Sequence, residues 1–205
     1  MRRFLTQKDN STFKRKLALR REMLKHLEET PVIMETHGGL GKLYMACYRH
    51  IENGVVFERK PDKSAVLGQQ RPTWAVYEGD AVAAISQGAG SHLTVNVLDI
   101  DPYGEPWPTI DAFLTSDRQR AASLFVVVND GVRQGLAISG GWSVESMADA
   151  VVEFGNSLHR NYLDVCRWMM ERKAGQAGYG LTRWAGYYCG HGKNMTHYLA
   201  KLELR

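Results

Sequence analysis

Three carboxylates, two prolines and an aromatic ring stand together in Leu98-Asp99-Ile100-Asp101-Pro102-Tyr103-Gly104-Glu105-Pro106. Residues of these types in this order can hold a flat amine. An exocyclic amine conjugated to a ring is a poor nucleophile because its lone pair is delocalised. The Asp101 carboxylate and the Pro102 carbonyl are placed to accept its two protons. That turns the lone pair outward and favours the charge that develops in attack. Tyr103 can stack on the ring, and Asp99 belongs to the same acidic turn. Groups of this kind act largely by positioning. The plain structural reading of the same residues is a turn shaped by proline.

A second constellation is Val32 to Gly41, VIMETHGGLG. A short apolar run ends in Glu35. Gly38, Gly39 and Gly41 follow, and then a segment with Leu43, Tyr44, Cys47 and Ile51 near helical spacing. This reads as strand, glycine turn and helix. Glycine lets the backbone turn sharply and approach a ligand, and the helix start presents unpaired N–H groups. Open α/β sheets bind nucleotides and similar cofactors at such junctions. A dinucleotide fingerprint fits poorly: Gly39 and Gly41 take its first two positions, but the third falls on Tyr44.

The elements that must position these residues alternate. A helix is predicted from Phe13 to about Glu29, capped by Thr12 and closed by Pro31. Strands follow over Val32–Glu35, Gly54–Glu58, Thr73–Glu78, Thr94–Ile100 and Ser123–Asn129. Helices are predicted over Leu40–Ile51, Pro61 to about Gln69, Ala81–Gln87 and Thr109–Ala121. Alternation of this kind implies a parallel sheet with helices on both faces. Gly135–Trp142 reads as a loop, and helices follow near Val144 and over Leu158–Arg172. Tyr179–Cys189 and Met195–Leu204 alternate as two strands joined by GHGKN, a good hairpin turn. Trp107 and Pro108 are candidate walls of a target pocket, Trp168, Met169 and Met170 candidate core.

Four strands thus end in acids on one side of the sheet: Glu35, Glu58, Asp80 just past its strand, and Asp99 with Asp101. The carboxyl ends of parallel strands are where ligands bind.

The glycine segment resembles the first motif of Rossmann-like class I methyltransferases, acid-x-G-x-G-x-G, with His37 in the first glycine slot. A parallel sheet finished by an antiparallel hairpin beside the fifth strand is the order this resemblance implies. The D-x-D-P-Y-G-x-P turn resembles amino-methyltransferases, and most closely the tRNA guanine dimethyltransferases. Asp99, Asp101, Pro102, Gly104 and Pro106 match their motif, with Tyr103 as the aromatic. The resemblance implies S-adenosylmethionine as cofactor and an exocyclic amine of a nucleic acid base, RNA before DNA, as target. Glu35, His37, Gly38, Gly39 and Gly41 would then hold the methionine end. Glu58, with Arg59 beside it, would accept from the ribose hydroxyls. Asp80, between Gly79 and Ala81, would accept from the adenine amino group. Asp99 would serve both cofactor and chemistry. An oxidoreductase using NAD and a non-catalytic nucleic-acid-binding protein on the same fold are the rival readings.

Composition sets the outer bounds. At 205 residues the chain suits one domain, residues 31–205, with an arm at 1–30. No apolar run is long enough to span a membrane. The N-terminus has no signal-peptide pattern, and three scattered cysteines suggest a reducing compartment, so a cytoplasmic location is expected. The arm holds nine basic and four acidic residues, which accounts for the net charge of +4. Arg2, Arg3, Lys14, Arg15, Lys16, Arg20 and Arg21 would meet phosphates from the solvent side of the predicted helix. A homodimer or a protein partner would enlarge the small target-recognition surface.

Overall fold

Pro31 cannot extend the helix before it, and the apolar run behind it enters a sheet as β1 (Val32–Glu35). The computed structural model describes residues 11–102, 104–139 and 145–205. β1 lies between β2 (Asn53–Glu58) and β4 (Val97–Ile100), parallel to both. β3 (Ala75–Glu78) pairs with β2, and β5 (Ser123–Asp130) with β4, again parallel. β7 (Met195–Leu204) runs antiparallel beside β5, from Ser123 opposite Glu203 to Asp130 opposite Thr196. β6 (Tyr179–Cys189) is the outer half of the hairpin. The seven-stranded order is β3-β2-β1-β4-β5-β7-β6. This is the mostly parallel sheet with a terminal antiparallel hairpin that the alternation predicts, and both hairpin strands have their predicted bounds.

Side chains alternate across the strands, and each face is covered. Met34, Leu98 and Val126 point to one core, covered by α3 (Ala81–Ser86), α4 (Trp107–Thr115), α6 (Ala148–Phe154) and α7 (Tyr162–Gln176). Ile33, Val97 and Val127 point to the other. There α1 (Ser11–Lys25) buries Leu19 and Met23, beside Tyr44 and Tyr48 of a π-helical segment and Leu67 of α2 (Pro61–Gln70). Trp107 is fully buried, its ring 6.2 Å from that of Tyr198. It is core and not a pocket wall. Met169 and Met170 are core as predicted.

Helix α4 ends at Thr115, not Ala121, and α7 spans Tyr162–Gln176, not Leu158–Arg172; three further departures have local reasons. α1 ends at Lys25, not near Glu29. The chain must straighten early because Asn96 holds it on both sides of Pro31, donating to the Thr30 carbonyl at 2.9 Å and accepting from Val32 N–H at 2.8 Å. The helix expected over Leu40–Ile51 is shorter, and widens into π geometry at Tyr44–Tyr48. That extra residue per turn brings Tyr44, Cys47 and Tyr48 to the core together. The loop expected from Gly135 is instead the end of α5 (Val132–Ser139). Asp130 starts this helix by accepting from Val132 N–H at 2.8 Å. The rest of that expected loop, residues 140–142, lies outside the described residues.

Candidate active site

The carboxyl ends of four strands are tied into one shelf by backbone hydrogen bonds. Thr36 N–H donates to the Asp99 carbonyl at 3.0 Å, joining β1 to β4. Gly38 N–H donates to the Phe57 carbonyl at 3.0 Å, joining β1 to β2. Gly79 N–H donates to the Glu58 carbonyl at 3.0 Å, joining β2 to β3. The Glu58 carboxylate completes the link, accepting from Gly39 N–H at 2.9 Å and from Lys60 N–H at 3.0 Å.

The glycines are needed for different reasons. A Cβ on Gly38 would lie 2.5 Å from Leu67 and 2.6 Å from Val56, so the loop presses directly on the core. Gly39, at φ +57°, has no atom within 4 Å of such a Cβ, so open space lies beside it. At the far end of the shelf Asp80 caps α3, accepting from Ala83 N–H at 3.1 Å. Arg59 reaches to 3.9 Å from it, and both side chains are more than half exposed. Ala81 is buried under Asp80. His37 is half-buried with Nδ1 2.8 Å from the Thr36 hydroxyl. Burial lowers its pKa, which favours the neutral ring.

Beyond β4 the chain turns at Asp101 and the buried Pro102. Gly104 fastens this turn to the end of β5, its carbonyl accepting from Gly131 N–H at 3.0 Å. Asp101 Oδ1 accepts from Lys16 Nζ at 2.6 Å and from Asn129 Nδ2 at 2.5 Å. Burial alone would raise the Asp101 pKa. The Lys16 ammonium, Arg20 and the Asn129 amide outweigh it and hold the carboxyl below its ordinary value. Tyr103 lies outside the described residues.

No family model matches the sequence, and no curated protein matches it. Solved structures do match. N-methyltransferase NodS from Bradyrhizobium japonicum WM9 is 12% identical, with a TM-score of 0.60 over 96% of this chain and 98% of that one. TYW2 from M. jannaschii, crystallised with AdoMet, is 11% identical, with a TM-score of 0.59 over 93% of this chain and 76% of that one. PH1948 from Pyrococcus horikoshii, a suggested RNA methyltransferase, is 12% identical, with a TM-score of 0.52 over 97% and 85% of the two chains. The chain has the class I methyltransferase fold.

Within this methyltransferase fold, two acids expected at the ligand side have other partners. Asp99 shares a face with Val97, under α1, and is completely buried. It accepts from Arg20 Nε at 2.6 Å, Arg20 Nη2 at 2.5 Å and the Tyr48 hydroxyl at 2.6 Å. Glu35 shares the face of Ile33 and is 1% exposed. It forms an ion pair with Arg71 at 2.6 Å, and that guanidinium lies over the rings of Tyr44 and Trp74 at 4.3 and 5.1 Å. Burial pushes the Glu35 pKa up to about 7 against the pull of Arg71. Neither acid is presented to the shelf. Both anchor the covering helices.

The basic arm needs the same correction. Lys16 and Arg20 were expected on the solvent face of the first helix. They point inward, one turn apart, at Asp101 and Asp99. Lys14, Arg15 and Arg21 are exposed, with Arg15 reaching the Tyr188 carbonyl at 3.4 Å. Arg2 and Arg3 lie outside the described residues. Asn129, named from the sequence as the end of the fifth strand, is a direct partner of Asp101. The signal for it was a polar residue closing the apolar run from Leu124 to Val128. His197, which no pattern marked, lies opposite Asn129 in the β5–β7 register.

Proposed function

We propose that this chain is an S-adenosylmethionine-dependent methyltransferase acting on an amino group, with an exocyclic amine of a nucleic acid base, RNA before DNA, as the target. The observation that carries this reading is the Asp101-Pro102 turn beside the glycine shelf, in a class I methyltransferase fold. The shelf suits the cofactor. The open face of Gly39 leaves room for a ligand against the backbone. Each Glu58 oxygen accepts one backbone N–H and keeps a lone pair for a ribose hydroxyl. Asp80 offers a further acceptor at the exposed end. When bound, S-adenosylmethionine supplies a methyl group on a cationic sulfur, an electrophile that brings its own leaving group. TYW2 with AdoMet and NodS with bound S-adenosylhomocysteine support this cofactor by analogy of fold.

The remaining work falls to residues of this chain. Asp101 and the Pro102 carbonyl accept the two amine protons and set the direction of the lone pair. Asn129 fixes the Asp101 carboxylate. Tyr103 stacks on the base, which has to be single-stranded or flipped out to reach it. Lys14, Arg15 and Arg21 remain on α1 to meet phosphates, with Arg2 and Arg3 before it.

Glu58→Ala removes the acceptor and unties Gly39 from β2. The expected result is a rise in the S-adenosylmethionine dissociation constant of about 10- to 100-fold, as for a lost hydrogen bond to a charged group. Calorimetry measures it, and an unchanged constant would take Glu58 out of the cofactor site. Substrate class is tested with radiolabelled methyl donor and separate pools of RNA, DNA and protein. Label in RNA, located on a base amine, is expected. Cofactor binding with label in none of the pools would favour the non-catalytic reading.

A further inference from the structure

We propose that Asp101 and Asn129 form a receiving site for an N–H-bearing amine, and that Lys16 is its built-in occupant, a tethered ammonium that a substrate amine must displace. This rests on the assignment of Asp101 as the amine acceptor, and adds to it a regulation of that same site by α1.

Lys16 Nζ stands 2.6 Å from Asp101 Oδ1, which also accepts from Asn129. An ammonium there makes the contact that a target amine would make. The surroundings have acceptor capacity to spare. Asn129 and His197 are completely buried, and Asn129 Oδ1 and His197 Nε2 have no hydrogen-bond partner. Orphaned buried polar atoms are costly. Asn129 Oδ1 is a free acceptor next to an ammonium-bearing carboxylate, and His197 Nε2 is a second one in the tautomer that carries its proton on Nδ1, toward Tyr187. His197 Nδ1 lies 3.1 Å from the Tyr187 hydroxyl. The charges acting on His197 are Lys16, Arg20, Asp101 and Arg15, and burial lowers its pKa to about 3. The ring is therefore neutral and does not repel an incoming cation.

The two inward cations of α1 are not equivalent. Arg20 is wholly buried and holds Asp99 with two nitrogens. Lys16 is one turn nearer the start of α1, is 17% exposed, and holds Asp101 by one point. A flexible lysine with a single contact can leave while the arginine fork stays. Arg20–Asp99 is the fixed anchor of α1 and Lys16–Asp101 its release point. The sign of the Lys16 effect is thus opposite to that of a phosphate contact.

Lys16→Ala deletes propylammonium from the site, so propylammonium chloride is the probe. Melting temperature is followed against its concentration, with tetramethylammonium chloride, which has no N–H, at equal ionic strength. The expected result is a saturable rise of about 2–4 °C for Lys16→Ala in propylammonium only. The wild type and the Lys16→Ala/Asp101→Asn double variant should show none. Equal responses to the two salts, or an equal response in the double variant, overturn the proposal. A second measurement uses the unaltered chain, through acetylation by an amine-reactive ester read by peptide mass spectrometry. Lys16 should react at least about tenfold more slowly than exposed Lys14, and Asp101→Asn should abolish the difference. Equal rates in the wild type contradict the occupancy. Titration with S-adenosylhomocysteine separates the two claims. Absent binding removes the methyltransferase reading alone, whereas failed rescue with intact binding removes the tethered occupant alone.

Discussion

Asp101→Ala is expected to lower methyl transfer by about 10²- to 10³-fold, the cost of removing a preorganised group that meets developing charge. The affinity for S-adenosylmethionine should stay within a few-fold. The separation follows from position. Asp101 stands past the end of β4, against Lys16 and Asn129. The shelf that suits the cofactor is tied through Gly38, Gly39, Glu58 and Gly79, none of which bonds to the Asp101 side chain. Single-turnover rates at saturating cofactor, beside calorimetric affinities, read the two effects apart. Glu58→Ala should show the reverse pattern. An Asp101→Ala protein with normal turnover would remove this residue from the chemistry.

Arg20→Met should be the most damaging substitution for stability, costing about 3–5 kcal/mol. The loss comes less from the missing attraction than from the partner left behind. Asp99 would remain completely buried with the Tyr48 hydroxyl as its side-chain donor. In a chain of this size that corresponds to a fall in melting temperature of roughly 6–20 °C. Urea unfolding should show a lower midpoint with an unchanged slope. The Arg20→Met/Asp99→Leu double variant should recover part of the loss, because two apolar groups of similar size replace two paired charges, while the buried Tyr48 hydroxyl loses its acceptor. A single variant within about 0.5 kcal/mol of wild type, the range of ordinary surface changes, would mean that α1 is held by its apolar contacts alone.

The fold was legible wherever a local signal had only one outlet. The hairpin bounds were readable because period-two alternation stops at a Gly-rich turn, whose Gly190, Gly192 and Lys193 all take positive φ. The shelf was readable because its acids and glycines mark strand ends. What the pattern did not disclose was the face on which an acid lies. Glu35 and Asp99 sit two residues after Ile33 and Val97, and so share their buried face. Parity pointed inward, but an acid at a strand end is ordinarily solvated, and the partners that permit burial are remote in sequence. Arg71 and Arg20 are those partners, 36 and 79 residues away. Likewise Lys16, Arg20 and Met23 follow one helical stripe, yet charges on a helix stripe usually face water. Only the acids waiting opposite reverse that preference. The π-helical turn had no local signal at all, since it answers to the packing of Tyr44 and Tyr48.

The central claim is that the shelf between β1, β2 and β3 holds S-adenosylmethionine. The most direct test is a calorimetric titration of S-adenosylmethionine into the purified wild-type chain, with NAD titrated in parallel. Saturable one-to-one binding of the first and none of the second is the predicted result. Binding of neither by folded protein would contradict the account, reducing the glycine turn to a packing device and leaving Asp101 without a reaction to serve.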